Sequence, residues 1–259
     1  STTATRSNDI IYVAINYIIV RDTNNNLPID QLDIDANIDY ANEKFYPAGI
    51  QFYLCKISYT VPTNLANFYN SNSNYEKLYN LQDEFGSKYS KNNMINVYHI
   101  NSFVGTSNYN GYARFPNETY NNMILLTREN PYLSSILSHE LGHYFGLLHT
   151  FNGSSPSTLP LVNQPKYTIY NINNSIALIG DGIEDTPSDP GNCSALVPSC
   201  IVSCDTPNDP NGVPYDVINQ RENIMSYRCE KDFTPQQITA MIPTFGYERS
   251  NVTAPSPIP

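Results

Sequence analysis

The chain has 259 residues, of which 40% are hydrophobic and 12% aromatic, so it contains enough apolar material for a sizeable core in one domain. Its net charge of -10 and isoelectric point near 4.7 disfavour nucleic acid and anionic membrane surfaces as partners. No run of eighteen or more apolar residues occurs, so the sequence predicts no membrane span.

The first half of the chain alternates between predicted strands and predicted helices. Strands are expected over residues 10–20, 50–59, 94–100 and 121–127, and helices over residues 29–45 and 75–89. The apolar positions of the first helix are Leu32, Ile34, Ala36, Ile38, Ala41 and Phe45. Such patterns are sparse after residue 146. The order predicts an α/β (α+β) fold, with an irregular, loop-rich subdomain following the regular one.

Two side chains in the predicted strands carry chemical groups of interest. Cys55 lies in the second strand and is expected to be a buried free thiol. His99 lies in the third strand and is expected to be structural, because it falls outside the spacing of the other three histidines.

Those three histidines lie in one run of eleven residues, HELGHYFGLLH, from His139 to His149. The run matches the pattern H-E-x-x-H-x-x-G-x-x-H. A helix is expected to carry its first part, with Asn130 as N-cap and Pro131 as first helical residue. The apolar positions of this helix are Tyr132, Leu133, Ile136, Leu137, Leu141 and Tyr144.

The spacing of the run predicts a metal site. His139 and His143 are four residues apart, so a helix places both imidazoles on one face. A continued helix would carry His149 about 9 Å further along the axis, so the chain must turn, and Gly146 can adopt the positive φ that such a turn needs. Three histidine ligands leave a zinc ion one position for water, and Glu140 is the expected general base. This chemistry is peptide hydrolysis.

Four motifs resemble those of the pappalysin family of metzincin zinc peptidases, which includes ulilysin-like proteases. The dipeptide Thr150-Phe151 follows His149, GYARFP occupies residues 111–116, GDGIEDTP occupies residues 180–187, and NIMSY occupies residues 223–227. The similarity extends from about residue 10 to about residue 247. It implies a metzincin-type zincin, with a mixed twisted sheet and the active-site helix in an upper subdomain, about 1–146, and a disulfide-linked lower subdomain, about 147–249. Residues 250–259 have the composition of a tail or linker.

The resemblance also implies roles for individual residues. Met225 would belong to a methionine turn that forms an apolar floor under the metal, and Tyr227 would stabilise the reaction intermediate. The disulfides would be Cys193–Cys204 and Cys200–Cys229, although four cysteines alone permit three pairings, and a second zinc site is the competing interpretation. Disulfides would place the protein outside the reducing cytosol, as a secreted protein. The chain begins at Ser1 without methionine or signal sequence, which suggests a processed or recombinant fragment.

An acidic stretch after the histidine run is the candidate calcium site. Oxygen ligands are dense there, and calcium takes six to eight of them. The candidate ligands are Asp181, Glu184, Asp185 and Thr186, with Asp189, Asp205, Asp209, Asp216 and Glu222 nearby. The resemblance implies calcium as well, whereas the alternative is a solvated acidic loop.

Substrate binding is predicted at two places. Gly111, Tyr112 and Ala113 fall where metzincins have the edge strand of the cleft, and an open edge can bind an extended peptide as an additional strand. The alternative is a simple hairpin with Tyr112 buried. Glu230, just beyond the methionine turn, would favour a basic residue after the scissile bond, or it is an exposed surface acid.

We therefore expect a secreted, monomeric zinc endopeptidase that acts on proteins or peptides. Two other classes of function stay open. One is an extracellular binding or adhesion module that keeps a structural zinc, which Glu140 argues against because a structural zinc needs no base. The other is a zinc hydrolase of non-peptide amides or esters.

Overall fold

A computed structural model describes residues 10–63, 65, 67–68, 81–103, 110–117, 122–127, 133–164, 166–172, 175–191, 193–196, 201–204, 207–216, 222–227 and 232–254. The chain forms two compact units. One consists of Ser1–Tyr144 with Thr244–Pro259, and the other of Phe145–Pro243. The limits predicted for the catalytic domain and its tail stay a prediction.

Strands and three longer helices make up the regular structure of the described residues. The strands are β1 (Ile11–Ile19), β2 (Ile50–Tyr59), β3 (Asn67–Phe68), β4 (Ile95–Ile100), β5 (Ser102–Phe103), β6 (Gly111–Ala113), β7 (Met123–Thr127), β8 (Thr168–Ile172), β9 (Ser175–Ile179), β10 (Cys193–Leu196), β11 (Ile201–Cys204) and β12 (Thr253–Ala254). The longer helices are α1 (Gln31–Phe45), α2 (Leu133–Tyr144) and α3 (Pro235–Tyr247). Short helical segments occupy Tyr46–Ala48, Gln82–Gly86, Ser87–Tyr89 and Ser250–Val252.

A mixed sheet runs through the first unit. Its strand order is β12-β1-β4-β7-β6, and β2 also pairs with β1. The pairs β1–β2, β1–β4 and β4–β7 are parallel, while β6 pairs antiparallel with β7 and β12 pairs antiparallel with β1. Among the described strands, β6 therefore forms an open edge. The predicted α/β class is confirmed.

The parallel strands at the centre of the sheet are buried over most of their length. The described residues of β4 are all buried, as are those of β7. Parallel strands that are covered on both faces have continuous apolar sequences. For this reason β1 and β7 do not alternate between apolar and polar residues. No helix among the described residues is long and apolar enough to cross a membrane.

Helix α1 begins two residues later than predicted, because the Asp30 side chain accepts a hydrogen bond from the amide of Asp33 and acts as N-cap. Its buried face consists of Ile34, Asn37, Ile38, Ala41 and Phe45. Of the predicted apolar positions, Leu32 and Ala36 are exposed. They lie outside the buried face, whose residues are spaced three or four positions apart.

One other expectation from the sequence is wrong. Cys55 is a free thiol but is exposed, because it lies in the part of β2 where the side chains of Cys55 and Lys56 both face solvent. The region after residue 146 is also more regular than predicted. It contains the antiparallel pairs β8–β9 and β10–β11 and most of helix α3.

Candidate metal centre

Helix α2 carries the first two histidines of the run. From Ile136 to Tyr144 its side chains are buried, including the polar groups of His139, Glu140 and His143. Asn130, Pro131 and Tyr132, predicted to begin this helix, lie outside the described residues. The helix ends at Tyr144, and Gly146 has a φ of 94°. The predicted turn at Gly146 is confirmed.

This turn allows the third histidine to approach the first two. Each of His139, His143 and His149 offers a ring nitrogen, and these donor atoms all lie within 4.8 Å of one another. The rings of His139 and His143 meet edge to face, with their centroids 4.8 Å apart. Within the described residues, this is the only group of three or more histidine, cysteine or acidic side chains arranged to hold a metal ion.

The donor set fits zinc. Imidazole nitrogen is a preferred ligand of zinc, and three protein ligands are the number found in catalytic sites. His139 and His143 are buried and His149 is partly buried, so the three donors are largely shielded from bulk solvent. A structural zinc site normally has a fourth protein ligand, which the described residues do not provide here.

Glu140 lies on the same helix and faces the edge strand β6. Its side chain is 5% exposed. A Cβ atom placed on Gly111 would lie 2.6 Å from Glu140 Oε1 and 2.8 Å from its Cγ. The carboxylate therefore fills the space that a side chain at Gly111 would occupy. Tyr112 is half-buried and Ala113 is buried.

Aromatic side chains contact two of the histidines. The ring of Phe115 lies 5.4 Å from that of His143. Phe151 stacks on His149 with ring centroids 4.8 Å apart and planes 9° apart. Tyr227 meets His149 edge to face at 4.7 Å and is 58% exposed.

The predicted methionine turn adjoins the third histidine. Met225 is fully buried, and its carbonyl oxygen accepts a hydrogen bond of 3.1 Å from the amide of Thr150, the residue after His149. The Asn223 side chain accepts from the amide of Met225 at 2.9 Å. The amide of Ser226 donates to the carbonyl oxygen of Asn223 at 3.1 Å and closes the turn.

A buried carboxylate links the same two segments. Asp189, 1% exposed, accepts hydrogen bonds at Oδ2 from the hydroxyls of Thr150 (2.6 Å) and Ser226 (3.0 Å). Its Oδ1 accepts from the amide of Gly191 at 2.9 Å. From the sequence alone, Asp189 is only one of the acids near the candidate calcium site.

Two of the other predicted calcium ligands, Asp181 and Asp185, also accept hydrogen bonds from the protein. Asp181 Oδ1 accepts from the amide of Ile183 at 2.9 Å, and burial raises the pKa of Asp181 to about 6. Asp185 accepts from the hydroxyl of Thr234 (2.6 Å) and the amide of Gln236 (2.9 Å), at the start of α3. Glu184 is exposed and Thr186 is buried. None of them belongs to a metal-binding group of described histidine, cysteine or acidic residues.

Several predicted site residues lie outside the described part of the chain. Glu230 is one, and so are Cys200 and Cys229. The backbone register of β10 and β11 places Cys193 opposite Cys204, but their side chains are not described. Both disulfides stay predictions.

Sequence reasoning missed the contacts of Phe115 and Phe151 with the histidines, although both lie inside the motifs that carry the resemblance. It also missed Arg249, which is 1% exposed. Arg249 Nε donates to the carbonyl oxygen of Tyr144 at 3.1 Å, and the guanidinium lies 3.7 Å from the centre of the Tyr144 ring. Only the density of aromatic residues in the motifs could have indicated the first two contacts.

Comparison with known proteins gives a consistent family. Residues 79–245, more than half of the chain, match the sequence profile of the peptidase family described as pregnancy-associated plasma protein-A. Two proteins of Colletotrichum graminicola, both named extracellular metalloprotease, are 26% and 29% identical to this chain. The alignments cover 81% and 48% of this chain and 66% and 46% of those proteins. The chain thus spans less than two thirds of the length of these relatives.

Solved structures give weaker similarities. A structure described as a chaperone-substrate complex matches with a TM-score of 0.45 at 14% identity, over 94% of this chain and 39% of that one. Metalloproteinase-II from Bacteroides fragilis matches with a TM-score of 0.38 at 14% identity, over 55% of this chain and 45% of that one. Scores this low do not support a structural comparison.

Proposed function

Since this chain belongs to the peptidase family described as pregnancy-associated plasma protein-A, we propose that it is a zinc-dependent endopeptidase. The observation that carries the proposal is the convergence of three imidazoles, two from α2 and one from beyond its end, beside the buried Glu140 of that helix. The donor atoms of His139, His143 and His149 lie within 4.8 Å of one another, and Glu140 directly follows the first of them.

The three histidines would hold the zinc ion, which when bound supplies a Lewis acid that lowers the pKa of a water ligand and polarises a carbonyl group. Glu140 accepts a proton from the attacking water and later delivers it to the leaving amine. Its burial supports this role, because a carboxylate in a site of low dielectric interacts more strongly with the charges that develop there. Tyr227 donates a hydrogen bond to the developing oxyanion.

The substrate is a peptide in extended conformation that adds to the sheet at β6. In the antiparallel pair of β6 and β7, Thr127 donates to the carbonyl oxygen of Asn110 and Arg114 donates to that of Met123. Because hydrogen-bonding direction alternates along a strand, the backbone groups of Gly111 and Ala113 face the open edge. No described strand pairs with these groups, so a peptide strand could bind there, which supports a peptide over a non-peptide amide. We also propose that Glu230 gives the peptidase a preference for substrates with a basic residue after the scissile bond.

We further propose that the acidic segment containing Asp181, Glu184, Asp185 and Thr186 binds calcium, which its density of oxygen donors supports. Calcium addition should raise the melting temperature of metal-free protein, and Asp181→Asn should reduce that rise. Equal melting temperatures with and without calcium would exclude this site.

The protein is proposed to act outside the cell, as the names of its relatives indicate for those proteins. Disulfides Cys193–Cys204 and Cys200–Cys229 would be consistent with that environment. Mass spectrometry of peptides from the non-reduced protein tests both pairings directly.

The decisive experiment is cleavage of a proteome-derived peptide library by zinc-loaded wild type and by Glu140→Gln. Both proteins are assayed with and without a zinc chelator, and their zinc content is measured. We expect cleavage by wild type alone, abolished by chelation, with equal zinc content in the two proteins. The cleavage sites also report any preference for basic residues. A folded, zinc-loaded wild type that cleaves no peptide would favour a binding module or an amidase with a narrow substrate.

A further inference from the structure

The edge strand and the glutamate of α2 share one small space. A Cβ atom on Gly111 would lie 2.6 Å from Oε1, 2.8 Å from Cγ and 2.9 Å from Cδ of Glu140. Real Cβ atoms almost never approach other heavy atoms below 3.0 Å. Three atoms of one side chain would thus have to move if any other residue replaced Gly111.

Backbone strain is not the reason for glycine at this position. Gly111 does not belong to the glycines with positive φ, so its backbone conformation suits any residue. It lies at the start of β6, where an alanine would otherwise be tolerated. Its neighbour two positions along the strand is in fact Ala113. What glycine provides at residue 111 is space on the side that faces Glu140.

Neither partner can move away easily. Gly111 pairs with Leu126 of β7, and the amide of Thr127 donates to the carbonyl oxygen of Asn110 at 3.0 Å, which holds the start of β6 against the sheet. Glu140 is 5% exposed and lies on a helix whose neighbouring residues are also buried. Added volume therefore has to displace the carboxylate from its position rather than rotate it into solvent.

We propose that Gly111 is a positioning residue, which sets the location of the Glu140 carboxylate by leaving it the space of a missing side chain. This inference rests on the proposed function, in which Glu140 is the base. The strand proposed to bind the peptide also limits where the base can lie. A displacement of about 1 Å in a catalytic group can lower the rate on the order of 10²-fold.

The test compares Gly111→Ala with wild type in three measurements: kcat and KM on a peptide that wild type cleaves, zinc content, and melting temperature. Gly246→Ala is the matched control, because a Cβ atom there meets nothing within 4 Å. The expected result for Gly111→Ala is a kcat lower by on the order of 10²-fold, with similar KM and unchanged zinc content. Gly246→Ala is expected to leave kcat and zinc content unchanged.

A thermal double-mutant cycle tests the contact without any activity. Gly111→Ala should lower the melting temperature in the wild-type background but not in Glu140→Ala, where the clashing atoms are absent. An equal decrease in both backgrounds, or a loss confined to KM, would overturn the inference, as would a fully active Gly111→Ala. If wild type itself cleaves no peptide, the proposed function fails. Thermal coupling between Gly111→Ala and Glu140→Ala would then show only that the two residues pack against each other.

Discussion

Thr150 donates its hydroxyl hydrogen to Asp189 Oδ2 at 2.6 Å, across 39 residues of sequence. The same oxygen accepts the hydroxyl of Ser226, so one buried carboxylate joins the residue after His149 to the residue after Met225. The same two segments are also joined by the hydrogen bond from the amide of Thr150 to the carbonyl oxygen of Met225. The position of the third histidine is thereby tied to the methionine turn.

Replacement of Asp189 by asparagine should weaken this link. The amide group has one acceptor atom where the carboxylate has two, so the donors of Thr150, Ser226 and Gly191 cannot all be satisfied. An unsatisfied buried donor costs about 1–3 kcal/mol of stability. We also expect zinc affinity to fall on the order of tenfold, as after loss of a group that orients a ligand. Urea unfolding and competition with a chelator measure the two effects.

Asp185→Asn is the matched control for this variant. Asp185 also accepts two hydrogen bonds, but from Thr234 and Gln236 at the start of α3, and it is exposed. It should lose some stability without a change in zinc affinity. Equal zinc affinity in Asp189→Asn and wild type would show that Asp189 does not help to position His149.

Tyr227→Phe should separate hydrogen bonding from packing. The phenyl ring keeps the edge contacts with His149 and Phe151, at 4.7 and 4.8 Å, so stability and zinc content should not change. Loss of the hydroxyl should lower kcat by about 10²-fold if it stabilises the oxyanion. Steady-state kinetics on a cleaved peptide measure this. An unchanged kcat would limit Tyr227 to a packing role against His149.

Arg249→Met should destabilise the protein by about 3 kcal/mol. It removes charge-assisted hydrogen bonds to the carbonyl oxygens of Tyr144 (3.1 Å) and Arg114 (2.9 Å), each worth about 1.5–3 kcal/mol. It also removes the stacking of the guanidinium on the Tyr144 ring. Arg249→Lys should lose nearly as much, because an ammonium group cannot reproduce the planar fork.

Urea unfolding checks both Arg249 variants, with Glu248→Gln as control. Glu248 is exposed, and changes at such positions usually stay within about 0.5 kcal/mol. If Arg249→Met unfolds at the same urea concentration as the control, the buried guanidinium contributes nothing to stability.

His99 should make stability depend on pH. It is fully buried, and burial lowers its pKa from 6.5 to about 3, so the unfolded chain binds a proton at His99 that the folded chain does not. The stability that uncharged His99 contributes to the folded state is therefore fully present above pH 6.5 and is lost as the pH falls towards 3. The slope approaches about 1.4 kcal/mol per pH unit.

The variant His99→Gln removes this titration and keeps a side chain that can hydrogen-bond with the Tyr17 hydroxyl, which lies 3.1 Å from His99 Nδ1. The difference in unfolding free energy between the two zinc-loaded proteins should change between pH 7 and pH 5. Because both proteins contain the same zinc ligands, that difference isolates His99. Parallel stability curves would refute the prediction.

Local features of this fold were predictable from sequence. Gly146 turns the chain because positive φ is a property of one residue. The alternating pattern after Pro47-Ala48-Gly49 predicts β2 at its observed limits, Ile50–Tyr59. The hairpin β8–β9 was not predicted. Three of its apolar side chains are exposed, those of Ile169, Ile176 and Leu178. The pattern of apolar residues therefore does not match the pattern of buried residues in this hairpin.

Long-range contacts were beyond sequence reasoning. Asp189 was one acid in an acidic segment, and nothing local indicates that hydroxyls 39 and 37 residues away would bind it. Arg249 was likewise one cation in a polar stretch, although it lies 105 residues from the carbonyl group it contacts. Burial of a polar side chain is decided by the partners that the fold brings to it.

The pairing of β12 with β1 has a consequence for the order of folding. Ala254 lies beside Tyr12, and five residues before it Arg249 binds the end of α2. During synthesis, the helix bearing His139 and His143 emerges about a hundred residues before that arginine, and closing so long a loop is slow. We therefore expect the nascent chain to hold an incompletely anchored metal helix until Arg249 and β12 have left the ribosome, and zinc loading to follow that step.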